Sequence, residues 1–215
     1  VEIQSAADPE QSLEFQYRLG QVLQHYLGDV DGAIRQYRDI LSAAPDHRDA
    51  LVALEGLLDA GVRPTAIAEI LEPLYRMQEI WDRLHGVHEV QLHFLSDATQ
   101  RVGLMQRIAE IAEERMADGS LALKWHQRAL LEDAANEQSI GEAERLAGVL
   151  GEWTELADTY ASAIEATTIA DAKVDLGRRQ AWIFEEDLGD THRAEAAYRF
   201  VLSVKAADEE SLAAL

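Results

Sequence analysis

The chain repeats itself, and that restricts its fold more than any other feature. Sliding residues 81–143 onto 153–215, a shift of 72 without a gap, pairs identical residues at 17 of 63 positions; composition alone would give about four. The matches include Trp81/Trp153, Leu84/Leu156, Val102/Val174, Leu104/Leu176, Ala109/Ala181, Ile111/Ile183, Asp118/Asp190, Ala122/Ala194 and Leu130/Leu202. A third copy lies near the N-terminus, where residues 27–54 aligned with 188–215 give 11 identities in 28. A period of 72 is two helical hairpins of 36. A hairpin of that size cannot bury its apolar face alone, so the chain must stack its copies into an array.

The local pattern is helical. From Ala98 the apolar residues fall at 98, 102, 105, 108, 109, 112 and 116, the three- and four-residue steps of an amphipathic helix, with no sustained alternation of strand type. Turn signals interrupt it every 15 to 20 residues: Asp8-Pro9, Leu27-Gly-Asp29, Pro45-Asp46, Gly61 before Pro64, Ala117-Asp-Gly119, Gly151 and Leu188-Gly-Asp190. Asp29 and Asp190 are natural N-caps, and Pro64 suits a first helical turn. About twelve helices are expected, near 10–27, 30–43, 47–60, 63–78, 80–96, 98–117, 119–132, 136–150, 152–166, 169–188, 191–204 and 208 onward. Helix 63–78 is extra to the repeat, so equivalent elements of the first two copies lie 89 residues apart; Pro73 within it should kink or break it.

Leu19-Gly20, Ala33, Tyr37 and Pro45 in one copy, Trp153, Leu156, Ala157 and Tyr160 in another, and Trp81 with Leu84 resemble the tetratricopeptide repeats. Among these the chain is most similar to the degenerate, acidic arrays of large bacterial proteins. The resemblance implies an all-α, right-handed solenoid of antiparallel hairpins acting as a non-enzymatic scaffold for protein interactions. The expected organisation is a single solenoid over 1–215, with units at 10–60 (plus helix 63–78), 81–150 and 153–215. Val1 without a leader pattern, and an end at Leu215 inside a segment matching Leu54, suggest a piece of a longer chain and favour the cytoplasm.

Charge and composition narrow the partners. Nineteen Lys and Arg against 40 Asp and Glu leave a net charge of −21, which opposes binding to nucleic acid or anionic membranes. Zero Cys excludes disulfides, thiolate metal sites and Cys nucleophiles, and no apolar run reaches the roughly 20 residues of a membrane span. The expected partner is a protein or peptide of basic character, with self-association open and no cofactor.

Four polar columns on the helix that opens each copy mark the candidate groove: Tyr17, Gln106 and Arg178; Gln21, Glu110 and Trp182; Gln24, Glu113 and Glu185; His25, Glu114 and Glu186. Trp182 is distinctive because the apolar stripe at 170, 174, 181, 184 and 188 leaves its indole towards the polar face. An exposed Trp among carboxylates suits a basic, partly apolar peptide; the bland alternative is a seam-filling Trp beside a solvated acidic face.

Other readings are weaker. Small residues at Ala33, Ala109, Ala122, Ala181 and Ala194 fit close helix packing. His85, His88, Glu89 and His93 form the one cluster with metal-ligand chemistry, but His88-Glu89 to His93 is one residue too long for the zinc-protease spacing, and packing roles are expected for His85 and His88. Asp29-Val-Asp31-Gly32 resembles a calcium-loop start but has Ile40 where the closing Glu belongs. The alternatives to a scaffold are therefore a structural spacer or self-assembly segment, and a metal-dependent enzyme centred on His85 and His88.

Overall fold

Leucine, isoleucine and alanine at helical spacing, cut by capped turns, fold as the periodicity requires. The computed structural model describes residues 9–215, and among them every regular element is a helix. The chain divides into two units at Phe94/Leu95. The first contains α1 (Pro9–Val22), continued by a π-helical turn at Leu23–Leu27, then α2 (Val30–Ala43), α3 (Arg48–Asp59), α4 (Pro64–Met77) and α5 (Trp81–Phe94). The second contains α6 (Ala98–Glu114), α7 (Gly119–Glu132), α8 (Glu137–Leu150), α9 (Trp153–Ala166), α10 (Ala170–Trp182) with a π-helical turn at Ile183–Asp187, α11 (Thr191–Val204) and α12 (Glu209–Ala214). Within each unit, helices consecutive in sequence pack against one another, the contact pattern of a helical solenoid.

The helix starts follow the repeat offsets residue by residue. Asp29, Asp118 and Asp190 cap α2, α7 and α11, their carboxylates accepting from the backbone N–H of Gly32, Leu121 and Arg193 at 2.8, 2.9 and 3.0 Å. His47, Asn136 and Asp208 cap α3, α8 and α12 in the same way, accepting from Ala50, Ser139 and Ser211 at 3.3, 3.0 and 3.2 Å. Each cap satisfies a backbone donor that the first helical turn otherwise leaves unpaired. Asp29 of the calcium-like Asp-Val-Asp-Gly run is thereby a cap, and Asp31 pairs with Arg63 at 2.8 Å.

The residue before each Asp cap ends the preceding helix in the left-handed region: Gly28 at φ 67°, Ala117 at φ 55°, Gly189 at φ 64°. The next N–H then bonds back six residues, Asp29 to Leu23, Asp118 to Ala112 and Asp190 to Phe184, at 2.9, 2.8 and 2.7 Å. Only Ala117 carries a Cβ that this conformation disfavours. Ala117→Gly is therefore expected to stabilise the second unit by about 0.5–1 kcal/mol, the relief of left-handed strain exceeding the entropy glycine adds to the unfolded chain. Urea unfolding checks it, and an unchanged or lower midpoint would contradict it.

Ala33, Ala109, Ala122 and Ala181 are completely buried and Ala194 nearly so, as close helix approach requires. Gly20 occupies the column of Ala109 and Ala181, and a Cβ there would lie 2.5 Å from the buried Tyr37 ring. Pro73 does not break its helix: α4 runs continuously from Pro64 to Met77. The ring lies on the exposed side, so the one backbone bond it removes is outweighed by Ile67, Ala68, Leu71 and Tyr75, all buried on the opposite side.

Candidate functional site

Many residues of the polar columns are bonded to neighbouring helices, and these partners decide what each column can do. The first column faces the cap of the third helix of its own copy. In the first unit the Tyr17 ring lies 5.9 Å from His47. In the second, Gln106 Nε2 donates to Asn136 Oδ1 at 2.8 Å and to Ser139 Oγ at 3.1 Å, while Arg178 lies 3.9 Å from Asp208 and bonds Glu210 at 2.6 Å. These residues brace a helix start.

The third column is engaged by the second helix or the third. Tyr37 Oη donates to Gln24 Oε1 at 3.0 Å in the first unit. In the second, Tyr198 Oη donates to Glu185 Oε2 at 2.9 Å, and Arg145 grips both oxygens of Glu113 at 2.8 and 2.6 Å. Burial and the neighbouring carboxylate push the Tyr198 phenol up to about 12, so it stays a donor at neutral pH. Arg145 is held more firmly in its charged form by its hydrogen bonds to Glu113 and Glu142.

The second and fourth columns differ. Gln21 donates to Tyr17 Oη at 3.2 Å, and His25 lies at the end of the same helix, both on the first unit. On the second unit Glu110, Glu114, Trp182 and Glu186 all face solvent, Trp182 at 52% exposure. Two clefts there collect six of the eight residues predicted on that unit. One, of about 680 Å³, is lined by Gln106, Arg107, Glu110, Glu113 and Glu114 from α6, with His126 from α7 and Glu142 and Arg145 from α8. The other, of about 660 Å³, brings Arg178 and Trp182 of α10 together with Trp153, Tyr198 and Glu210. Helix α8 borders both, giving Glu142 and Arg145 to the first and Glu144 to the second.

The second cleft is floored by a charge network. Arg179 bonds Asp175 at 2.8 Å and Glu144 at 3.1 Å, and the buried Tyr160 donates to the same Glu144 at 3.0 Å. Burial works against the Arg179 charge, but its bonds to Asp175 and Glu144 outweigh that and raise its pKa. Beside this bonded network the cleft presents three aromatic rings, Trp153, Trp182 and Tyr198.

A family model described as tetratricopeptide repeat matches residues 14–47, which span most of α1, its π turn, α2 and the His47 cap. Over those residues the chain is similar to a tetratricopeptide repeat. Two solved structures align with nearly all of it at 16% identity: the MamA protein, covering 92% of this chain and 93% of that one with a TM-score of 0.36, and TTC0263, a thermophilic TPR protein of Thermus thermophilus, covering 94% and 95% with a TM-score of 0.32. No curated protein matches.

The histidine cluster of α5 pairs with nearby carboxylates. His88 is fully buried with its Nε2 3.6 Å from Glu72, and His85 Nδ1 lies 3.5 Å from Glu89 on its own helix. Among the described residues no three His, Asp or Glu side chains are grouped to hold a metal ion, and no helix is long and apolar enough to cross a membrane. Sequence reasoning missed Tyr198, Trp153, His126 and Arg145 as cleft residues. The first three carried a usable signal, since Tyr198 and His126 share the Tyr37 column and Trp153 shares that of Trp81.

Proposed function

We propose that this chain is a non-enzymatic scaffold that binds a basic, partly apolar peptide along the polar face of α6 and α10. Tetratricopeptide-like folds generally serve protein interaction, and the observation that carries the finer reading is Trp182. It is a large aromatic left half-exposed in a cleft with Trp153 and Tyr198, next to a second cleft rich in glutamate. Aromatic side chains in partly enclosed pockets are the usual anchors of peptide affinity, and carboxylates around them select and steer cationic partners. The net charge of −21 adds long-range attraction for such a partner.

The test is selection from a random displayed peptide library, followed by solution affinities. Enriched peptides are expected to combine Lys or Arg with an aromatic or large aliphatic residue, and to weaken by about tenfold or more between roughly 50 and 300 mM NaCl, mainly through the on-rate. Glu110→Lys with Glu114→Lys changes two exposed side chains and is expected to weaken both the binding and that salt response while leaving the fold intact. Neutral, salt-insensitive peptides, or undiminished binding by the double variant, would remove the acidic face from the mechanism.

A further inference from the structure

The two clefts of the second unit occupy the same place one repeat apart. Six pairs of their lining residues are related by the 72-residue shift, among them Arg107/Arg179, Glu110/Trp182 and His126/Tyr198. Equivalent positions of stacked repeats present their side chains in equivalent directions, so a difference in chemistry between the clefts traces to particular columns. Most of the differing pairs offer a partner little. His126 is 5% exposed, and Glu113, the counterpart of the carboxylate that Tyr198 bonds, is held by Arg145 instead. Gln106, Asp175, Arg178 and Glu210 are bonded to neighbouring side chains. Glu110 and Trp182 are both exposed, and they differ most in kind.

The charge balance turns on the same column. Four carboxylates and two arginines, Arg107 and Arg145, line the first cleft; three carboxylates and two arginines, Arg178 and Arg179, line the second. Arg107 has Gly103 one turn earlier, where Arg179 has its partner Asp175. Even with Arg107 counted, the first cleft keeps an excess of two negative charges against one in the second. Glu110→Trp by itself would bring the first cleft to the balance of the second, and Trp182→Glu would do the reverse. A carboxylate at this column favours a basic side chain, and an indole favours an aromatic or large aliphatic one.

The spacing of the two positions follows from α8, which is bonded to α6 through Arg145 and Glu113 and to α10 through Glu144 and Arg179. Residues 110 and 182 therefore stand on helices two interaxial distances apart, roughly 16–20 Å. An extended chain covers that span in about five or six residues. We propose that the column of Glu110 and Trp182 sets the order in which a bound peptide is read: a basic side chain beside Glu110 and an aromatic or large aliphatic one beside Trp182, about five or six residues apart along an extended segment. The proposal rests on the peptide-scaffold reading and adds the pair of residues that gives that peptide its sequence pattern.

The test exchanges the column. Peptides enriched by the wild-type chain from the displayed library are expected to share one order and one separation of the two side chains. E110W/W182E should enrich the opposite order at the same separation. Its unfolding midpoint should match wild type, because both changed side chains are exposed. One wild-type-selected peptide is then synthesised with a twin in which its basic and aromatic residues trade places, and all four pairings are titrated. The two mismatched pairings should be about tenfold weaker or more, and the twin should recover on E110W/W182E to within about threefold of the wild-type pairing. E110W alone changes only one exposed group, and should enrich peptides with two aromatic or large aliphatic residues at that separation. Peptides without a shared order, a twin that binds E110W/W182E no better than the original peptide does, or unchanged enrichment by E110W would each overturn the column while leaving the scaffold reading in place. Failure of the wild-type chain to enrich any peptide would overturn both.

Discussion

Tyr160→Ala is expected to destabilise the second unit by about 4 kcal/mol, the usual cost of truncating a fully buried aromatic side chain. Tyr160 has no exposed surface and is among the largest completely buried side chains. It also joins three helices, because its hydroxyl on α9 bonds Glu144 of α8, and Glu144 holds Arg179 of α10. Truncation would open a cavity and release one partner of that network. Tyr160→Phe keeps the ring and removes only the hydroxyl, so a loss of about 1 kcal/mol is expected from it. The contrast between the two variants apportions the effect between packing and polar contacts. Urea unfolding followed by tryptophan fluorescence and helical circular dichroism measures both; a loss below about 2 kcal/mol for Tyr160→Ala would show that the site collapses around the missing ring.

The second large effect concerns binding. Trp182→Ala is expected to weaken the selected peptides by about 2–4 kcal/mol, or roughly 30- to 1,000-fold, as removal of a central aromatic anchor does. Stability should change by less than about 0.5 kcal/mol, because the indole is half-exposed and its loss leaves no enclosed cavity. Trp182→Phe should recover part of the affinity, since the cleft with Trp153 and Tyr198 still receives a ring. Anisotropy titrations of a labelled peptide, paired with thermal unfolding, check both halves. Unchanged affinity in Trp182→Ala would take the aromatic cleft out of the mechanism, and a large fall in stability would make Trp182 a packing residue.

Much of the fold is legible in particular residues. The Asp29 and Asp190 caps, the glycines ahead of them and the alanines at 33, 109, 122, 181 and 194 act within one turn or one helix face, so local spacing is enough to place them. Pro73 defeats the same reasoning for the complementary cause. Its effect depends on which side of α4 is packed, and the packed side carries Ile67, Ala68, Leu71 and Tyr75 while the ring is exposed.

The candidate site divides along the same line. The columns locate polar positions on one face of α6 and α10, because a 3.6-residue period assigns faces. Whether each polar group is available depends on residues about 30 positions away. Gln106 is taken by Asn136 and Ser139, Arg178 by Glu210, and Glu113 by Arg145. Those pairings are made only when the next helices dock. By itself, then, the sequence determined the helices, their caps, the repeat offsets and the face that carries the polar columns, all of which follow from short-range spacing and backbone chemistry. Only the tertiary structure decided which of those polar groups are already bonded, which stay open at Glu110, Glu114 and Trp182, and that His126 is buried without the contact its counterparts make, since each of these depends on side chains brought together by packing across helices.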